Sequence, residues 1–303
     1  MPTLQSNGIT IAYETQGDAS GEPVLLIAGL GLQLISWPEP FCRTLVEQGY
    51  RLIRFDNRDS GLSSKMDEYG KPDLAGAFFR SMFHMPVSSG YTLHDMAQDA
   101  IGVLDALGIA RAHVVGASMG GMIAQIMAAS HAGRVSSLTS IMSTSGRPGL
   151  PGPTMAANQA MFSRPANPRD LDSVVDHFVR LFKVIGSPKY PTPDEELRRM
   201  VEASVRRNPS WRGTARQIMA VAGSGDRVAL LRTVEAPTLV VHGSADPLVP
   251  IAGGRDTAFL VPGAVLHEIE GMGHDLPPGL SEQIAALIAA HCAAASAPAA
   301  HRA

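Results

Sequence analysis

Apolar residues along the 303-residue chain follow two patterns that alternate with each other. Short continuous apolar runs at 24–27, 112–115 and 238–241 have the character of strands buried on both faces. Further strands are predicted at 50–55, 137–142 and 265–269. Between them, residues 92–107 carry Leu93, Met96, Ala97, Ala100, Val103, Leu104 and Leu107 at three- and four-residue steps, which predicts a helix with one buried stripe. Residues 38–48, 122–129 and 280–291 predict further helices. Near the start, 9–14 alternates apolar and polar residues behind Asn7-Gly8, a hairpin turn signal. The alternation of strand and helix predicts an α/β protein with a mostly parallel, doubly wound sheet that opens on an antiparallel pair.

Two segments interrupt this alternation. Residues 146–232 hold no clear strand and begin with Gly146-Arg147-Pro148-Gly149-Leu150-Pro151-Gly152-Pro153, a dense cluster of helix and strand breakers. Helical patterns follow, so this segment reads as a helical cap inserted into the core. Residues 62–91 form a shorter excursion with Phe78, Phe79, Met82, Phe83 and Met85. The expected organisation is therefore a core at 1–145 and 233–292, a cap at 146–232, and a flexible Ala-rich tail at 293–303.

Composition narrows the function. Net charge is −3 with no long basic run, so nucleic acid and anionic membrane are not expected partners. No segment has the pattern of a signal peptide or a membrane span, and a cytoplasmic location is expected. The two cysteines, Cys42 and Cys292, are expected to be reduced and structural. His242 and Asp246 are four residues apart but straddle a strand end and a turn, so no metal is expected.

The chemistry is concentrated at strand ends. Gly116-Ala117-Ser118-Met119-Gly120 lies between the run 112–115 and the helix predicted from 122, the setting of a nucleophile elbow. Such a turn needs small flanking residues, exposes the serine, and aims a helix N-terminus at it. A serine hydroxyl is a weak nucleophile at neutral pH and needs a base, itself oriented by a carboxylate. Gly271-Met272-Gly273-His274 follows the last predicted strand, which makes His274 the candidate base; Asp246, at the end of the strand before it, is the candidate acid. Asp275 adjoins the base too closely to bend back to it, and Asp226 sits in the cap connection. An oxyanion needs two convergent donors. The expected ones are the Met119 N–H and the Leu30 N–H, from the loop Ala28-Gly29-Leu30-Gly31-Leu32. A dinucleotide-binding reading of that loop fails, because position 34 is Leu34 where glycine is required.

These motifs, with Ser36-Trp37-Pro38, Arg54-Phe55-Asp56-Asn57-Arg58-Asp59-Ser60-Gly61 and Pro237-Thr238-Leu239-Val240, resemble the α/β-hydrolase fold superfamily. Within it the resemblance is to methylesterases of the kind that act on aclacinomycin-type anthracyclines. It covers roughly residues 22–145 and 233–291 and does not extend to the cap. It implies catalytic roles for Ser118, Asp246 and His274, and for the Leu30 and Met119 amides. The chain departs from many such proteins in reading Ala28-Gly29 where they have His-Gly, which bears on the hydrogen bonds that support the loop.

The expected function is a cofactor-independent carboxylesterase acting on small to medium apolar esters. The same fold and residues also serve carbon–carbon bond hydrolysis, lactone opening, perhydrolysis and acyl transfer, and a non-catalytic small-molecule receptor is the remote alternative. Ser118 excludes the related enzymes that need a carboxylate at that position. Gly29, Met161 and Phe182 are expected to contact substrate, with Met155, Phe162, Phe178, Phe78, Phe79, Met82, Phe83 and Met85 as further candidates for an apolar cleft. The partner is a small-molecule ester; the sequence does not indicate an oligomeric state.

Overall fold

A computed structural model describes residues 1–82 and 85–297, without the side chains of Phe78, Ser81 and Met82. The expectations for Phe83, for the side chains of Phe78 and Met82 and for the tail beyond Ala297 thus lie outside the described residues.

The hairpin β1 (Thr3–Ser6) and β2 (Ile9–Gln16) turns at Asn7 and Gly8, both at positive φ (48° and 78°) as a tight two-residue hairpin turn requires. β3 (Glu22–Ile27), α1 (Glu39–Glu47) and β4 (Tyr50–Phe55) follow, then α2 (Leu74–Met82) and α3 (Leu93–Ala106). β5 (Ala112–Ala117) leads into α4 (Met119–Ser130), and β6 (Val135–Ile141) closes the first part of the core. The insertion supplies α5 (Met155–Phe162), α6 (Leu171–Ile185), α7 (Asp194–Arg207) and α8 (Trp211–Gly223). The chain ends with α9 (Val228–Leu231), β7 (Thr238–Gly243), α10 (Ala252–Leu260), β8 (Val265–Ile269) and α11 (Pro278–Ser296).

The eight strands form one sheet in the order β1-β2-β4-β3-β5-β6-β7-β8, parallel from β4 through β8. The period-2 alternation within strands divides the core. Val24 and Leu26 face one side and pack with α1 and α11; Leu25 and Ile27 face the other and pack with α3 and α4. From β3 the chain steps out to β4, then returns to β5 on the opposite side of β3 and continues to β8. The carboxyl ends of β3 and β5 thus flank the point where strand order reverses, the place where open α/β sheets form their binding crevice.

Among the boundaries that differ from the sequence reading, three change the packing. β6 is set earlier, because Met142 turns to φ 41° and leaves the strand. Leu231, with Val228 and Leu230 packed beside it, joins the core cluster that includes α4, so the segment 146–232 gives up its last helix to the core. The tail expected to be flexible from 293 is helical as far as Ser296, whose hydroxyl bonds Glu22. Alanine, the best helix former, carries α11 past the last apolar stripe position.

Candidate active site

β5 runs straight into α4, and Ser118 occupies the bend at φ 55°, ψ −120°, a left-handed conformation costly for a residue with a side chain. The flanking glycines allow the bend. A Cβ on Gly116 would collide with the Gly120 carbonyl, and a Cβ on Gly120 with the Ile27 carbonyl. The Ser118 N–H donates to Ile141 O (2.9 Å), and the Ser143 hydroxyl donates to Ser118 O (2.8 Å), so the bend is held from β6.

His274 lies between β8 and α11, and Asp246 follows β7. The structure brings both to Ser118. His274 Nε2 is 2.9 Å from Ser118 Oγ, and His274 Nδ1 is 2.7 Å from Asp246 Oδ2. Since the carboxylate can only accept, the proton lies on Nδ1 and leaves Nε2 free to accept from the serine hydroxyl. The other carboxylate oxygen accepts the Leu248 and Val249 N–H groups (2.9 and 2.8 Å). Burial alone would push the Asp246 carboxyl up. The neighbouring His274 charge, hydrogen bonds from His242 and His274 and the Val249 N–H outweigh burial and hold it at about 2.

His242, which the sequence offered only as a poor metal ligand, is fully buried with Nε2 2.7 Å from Val249 O and 3.5 Å from Asp246 Oδ2. It braces the acid loop. No cluster of three or more metal-ligating side chains occurs among the described residues. Asp275, set aside from sequence, is turned from His274 and accepts the Ser187 hydroxyl; burial raises its carboxyl. Ser187 Oγ in turn accepts the Gly273 N–H (2.9 Å), and the His274 N–H donates to Ile185 O (2.7 Å). The end of α6 therefore fixes the histidine loop. Asp226 is exposed and caps the Val228 N–H (3.0 Å), away from the site.

The loop after β3 passes beside the serine: a Cβ on Gly29 would stand 3.3 Å from Ser118 Cβ. The Leu30 and Met119 N–H groups have no acceptor among the described residues. Support for this loop comes from residues that the motif reading did not assign. Asn57 Nδ2 donates to Ala28 O (3.0 Å), the Leu34 N–H donates to Asp56 Oδ1 (2.8 Å), and the Gly31 N–H donates to Gln217 Oε1 (2.8 Å). Ala28 at the usual histidine position thus leaves the loop anchored through its backbone.

The segment after β4 also ties down the insertion. Asp56 pairs with Arg207 of α7 (2.8 Å), Asp59 takes both arms of Arg216 of α8 (2.6 and 2.8 Å), and Arg58 pairs with Asp99 of α3 (2.6 Å). These carboxylates are all buried, where removing one partner strands a charge.

Above Ser118 lies a cavity of about 1540 Å³. Gly29, Met161 and Phe182 line it, and so do Phe162 and Phe178. Phe178 stacks on Trp211 with ring centroids 5.0 Å apart and planes 11° from parallel. The expectation for the other candidates is corrected. Met155 is 77% exposed at the start of α5, Phe79 and Met85 also face outward, and none of the three lines the cavity. The excursion at 62–91 contributes the segment 71–75 instead.

No helix among the described residues is long and apolar enough to cross a membrane. Residues 22–277 match the pattern of the α/β hydrolase fold family. The chain is 30% identical to rhodomycin D methylesterase of Streptomyces peucetius over 98% of this chain and the whole of that protein. It is also 30% identical to the rhodomycin D methylesterase of Streptomyces sp. strain C5, again over 98% of the chain. Among solved structures, the fold resembles a meta-cleavage product hydrolase of Pseudomonas fluorescens (TM-score 0.74, 21% identity, covering 96% of this chain and 97% of that one). It likewise resembles an enol-lactonase of Burkholderia xenovorans (TM-score 0.74, 22% identity, 96% and 100% covered). The chain belongs to the α/β-hydrolase fold family.

Proposed function

We propose that this protein is a cofactor-independent serine esterase that hydrolyses apolar carboxylic esters through an acyl-enzyme on Ser118. The observation that carries this reading is the unbroken hydrogen-bonded chain from Ser118 Oγ through His274 to Asp246. Ser118 Oγ attacks the ester carbonyl while its proton passes to His274 Nε2. Asp246 holds the tautomer and stabilises the imidazolium. The Leu30 and Met119 amides receive the tetrahedral oxyanion, assisted by the positive end of α4. Collapse breaks the carbon–oxygen bond, and the alkoxide takes the proton from His274. Water, deprotonated by the same imidazole, then attacks the acyl-enzyme and releases the acid. Identity to the two methylesterases over nearly the whole chain supports esters as substrates.

The insertion acts as a cap, with Gly29, Met161 and Phe182 contacting a small-molecule ester. The cavity exceeds the ~300–1,000 Å³ of ordinary ligand pockets, which favours an ester with a bulkier apolar body than the small to medium esters expected from sequence. Two unpaired buried cysteines are in keeping with action in the cytoplasm. Turnover of p-nitrophenyl esters from acetate to laurate, beside a lactone and a 1,5-diketone, tests the reading. Preference for the esters supports it; turnover of only the lactone or the diketone contradicts it.

Met161 and Phe182 separate two roles of the cap lining. Both pack beside Leu181 and Ile185, and Phe182 also joins the cluster of Val175, Leu197 and Val201. Met161→Ala is expected to shift the preferred acyl length while leaving the melting temperature within a few degrees. Phe182→Ala is expected to lower the melting temperature as well. Unchanged relative rates across the ester panel in both variants contradict the cap-as-pocket reading.

The pH dependence follows from the same geometry. With Asp246 held at about 2, the acid stays charged throughout the working range. The rise of kcat with pH is therefore not expected to follow the ionisation of Asp246. Stability has the opposite limit. Because the folded Asp246 lies below its ordinary 3.8, its contribution is complete above about pH 5 and lost as pH falls towards 2. Melting temperatures of wild type and Asp246→Asn, followed from pH 6 to pH 2, should converge at the acid end. A constant gap contradicts the assignment.

A further inference from the structure

The loop beside Ser118 is held differently at its ends and at its middle. The Ala28 carbonyl and the Leu34 N–H are fixed by Asn57 and Asp56, which belong to the core. Between them, Gly29 to Leu32 form a turn closed by Leu32 N–H to Gly29 O (3.2 Å), with Gly31 at φ 68°. A positive φ at the third residue marks the turn form whose middle peptide is flipped, and it suits glycine. That middle peptide, Leu30–Gly31, is held by Gln217 Oε1, which lies on α8 of the insertion.

Gln217 is completely buried and all its hydrogen bonds cross to the core side. Its Nε2 donates to Arg58 O (2.7 Å) and Ser60 Oγ (3.2 Å) while its Oε1 takes the Gly31 N–H. One turn earlier on α8, Thr214 lies against the same glycine, so a Cβ on Gly31 would meet Thr214 Oγ1 at 2.8 Å. The preceding residue, Arg216, anchors α8 by its two-armed pair with Asp59. Core and insertion thus meet at the peptide next to the one that bears the Leu30 N–H.

We propose that Gln217 is a positioning residue for the oxyanion hole, so that the geometry of the Leu30 amide depends on the docking of α8. The inference rests on the esterase reading and on Leu30 as an oxyanion donor. An oxyanion hole works because its donors are fixed before charge develops. The Gly29–Leu30 peptide is tied through Gly29 O to Leu32, and the next peptide through Gly31 N–H to Gln217. Without the second tie the turn loosens, rotation about Gly29 ψ and Leu30 φ becomes easier, and the Leu30 N–H loses its fixed aim. Substrate contacts in the cavity do not depend on that tie, so the loss falls on the tetrahedral state.

The test uses the full chain with kcat expressed per site titrated to completion by an alkyl fluorophosphonate. Gln217→Met keeps the length and removes every hydrogen bond. Its kcat on p-nitrophenyl butyrate is expected to fall about 10- to 100-fold with KM within twofold, less than or similar to the loss of a hole donor itself. The inhibition constant of an alkyl trifluoromethyl ketone, which binds as a tetrahedral adduct, should rise by the same factor. Gln217→Glu retains an acceptor for Gly31 and is expected to keep more activity than Gln217→Met; equal losses would assign the role to Arg58 O and overturn the inference. If Gln217→Met does not fold, Gly31→Ala, which disturbs the turn from the loop side, should give the same split between kcat and KM. Wild-type kcat in either folded variant, or a loss confined to KM with inhibitor affinity unchanged, overturns the proposal. A wild-type protein that neither turns over the ester nor takes the phosphonate overturns the esterase reading itself.

Discussion

Ser118→Ala is expected to lower ester turnover by about 10⁴-fold or more, with the melting temperature little changed. The variant removes the hydroxyl that His274 Nε2 contacts at 2.9 Å. The elbow itself rests on Gly116, Gly120 and the backbone bond from the Ser118 N–H to Ile141 O, all of which persist. Alanine at φ 55° carries a strain similar to that of serine. Steady-state turnover and a thermal melt of the same preparation check the two halves together. Near-wild-type turnover in a clean preparation contradicts a serine nucleophile.

Asp246→Asn is expected to lower kcat about 10³- to 10⁴-fold. The asparagine oxygen can still accept the Leu248 and Val249 N–H groups, so the loop is retained. Its amide nitrogen then faces His274 Nδ1 as a donor. The imidazole must turn its proton to Nε2, where it points at Ser118 Oγ and can accept nothing. Asp275→Asn and Asp226→Asn are expected to cost little by comparison, since Asp275 serves Ser187 and Asp226 is a solvent-exposed cap. A crippling effect of Asp226→Asn with a mild effect of Asp246→Asn would reverse the choice of acid.

Ser118, His274 and Asp246 were legible in sequence because each sits at a strand end, and strand ends can be read from buried apolar runs. Local spacing sufficed for the elbow, since its glycines answer to contacts within a few residues and to the neighbouring β3 end. The bracing residues were not legible. Gln217 lies 186 residues from the Gly31 N–H it holds, and Ser187 lies 86 residues from Gly273. No periodicity carries such pairings, and Gln217 sits on a helix whose pattern explains it equally well as filler. His242 was weighed as a metal ligand and set aside, but its bond to the Val249 carbonyl, seven residues on around a turn, follows no period that would have given it the bracing role. The cleft assignments divided for a similar reason. Met161 and Phe182 line the cavity, while Met155 and Met85 face out, and apolar content alone does not say which side of a segment is covered.

The insertion meets the core at both loops that flank Ser118. α6 holds the His274 loop through Ile185 and Ser187, and α8 holds the Leu30 loop through Gln217. Its base is closed as well: the Arg227 N–H donates to Ser145 O (2.8 Å), and the Arg227 guanidinium reaches Thr144 O (2.8 Å) and Gln125 Oε1 (3.0 Å). Burial lowers that guanidinium to about 10, in a setting where its hydrogen bonds all go to neutral oxygens. The helices that line the cavity therefore also hold both loops beside Ser118. The breaker-rich entry at 146–153 lies just outside this closure.

The most direct measurement is the mass of the intact chain after exposure to an alkyl fluorophosphonate, followed by peptide mapping. A single adduct on Ser118 is expected, abolished in Ser118→Ala and strongly slowed in Asp246→Asn. An unlabelled wild-type chain, or an adduct that persists in Ser118→Ala, contradicts the assignment of Ser118 as the activated nucleophile.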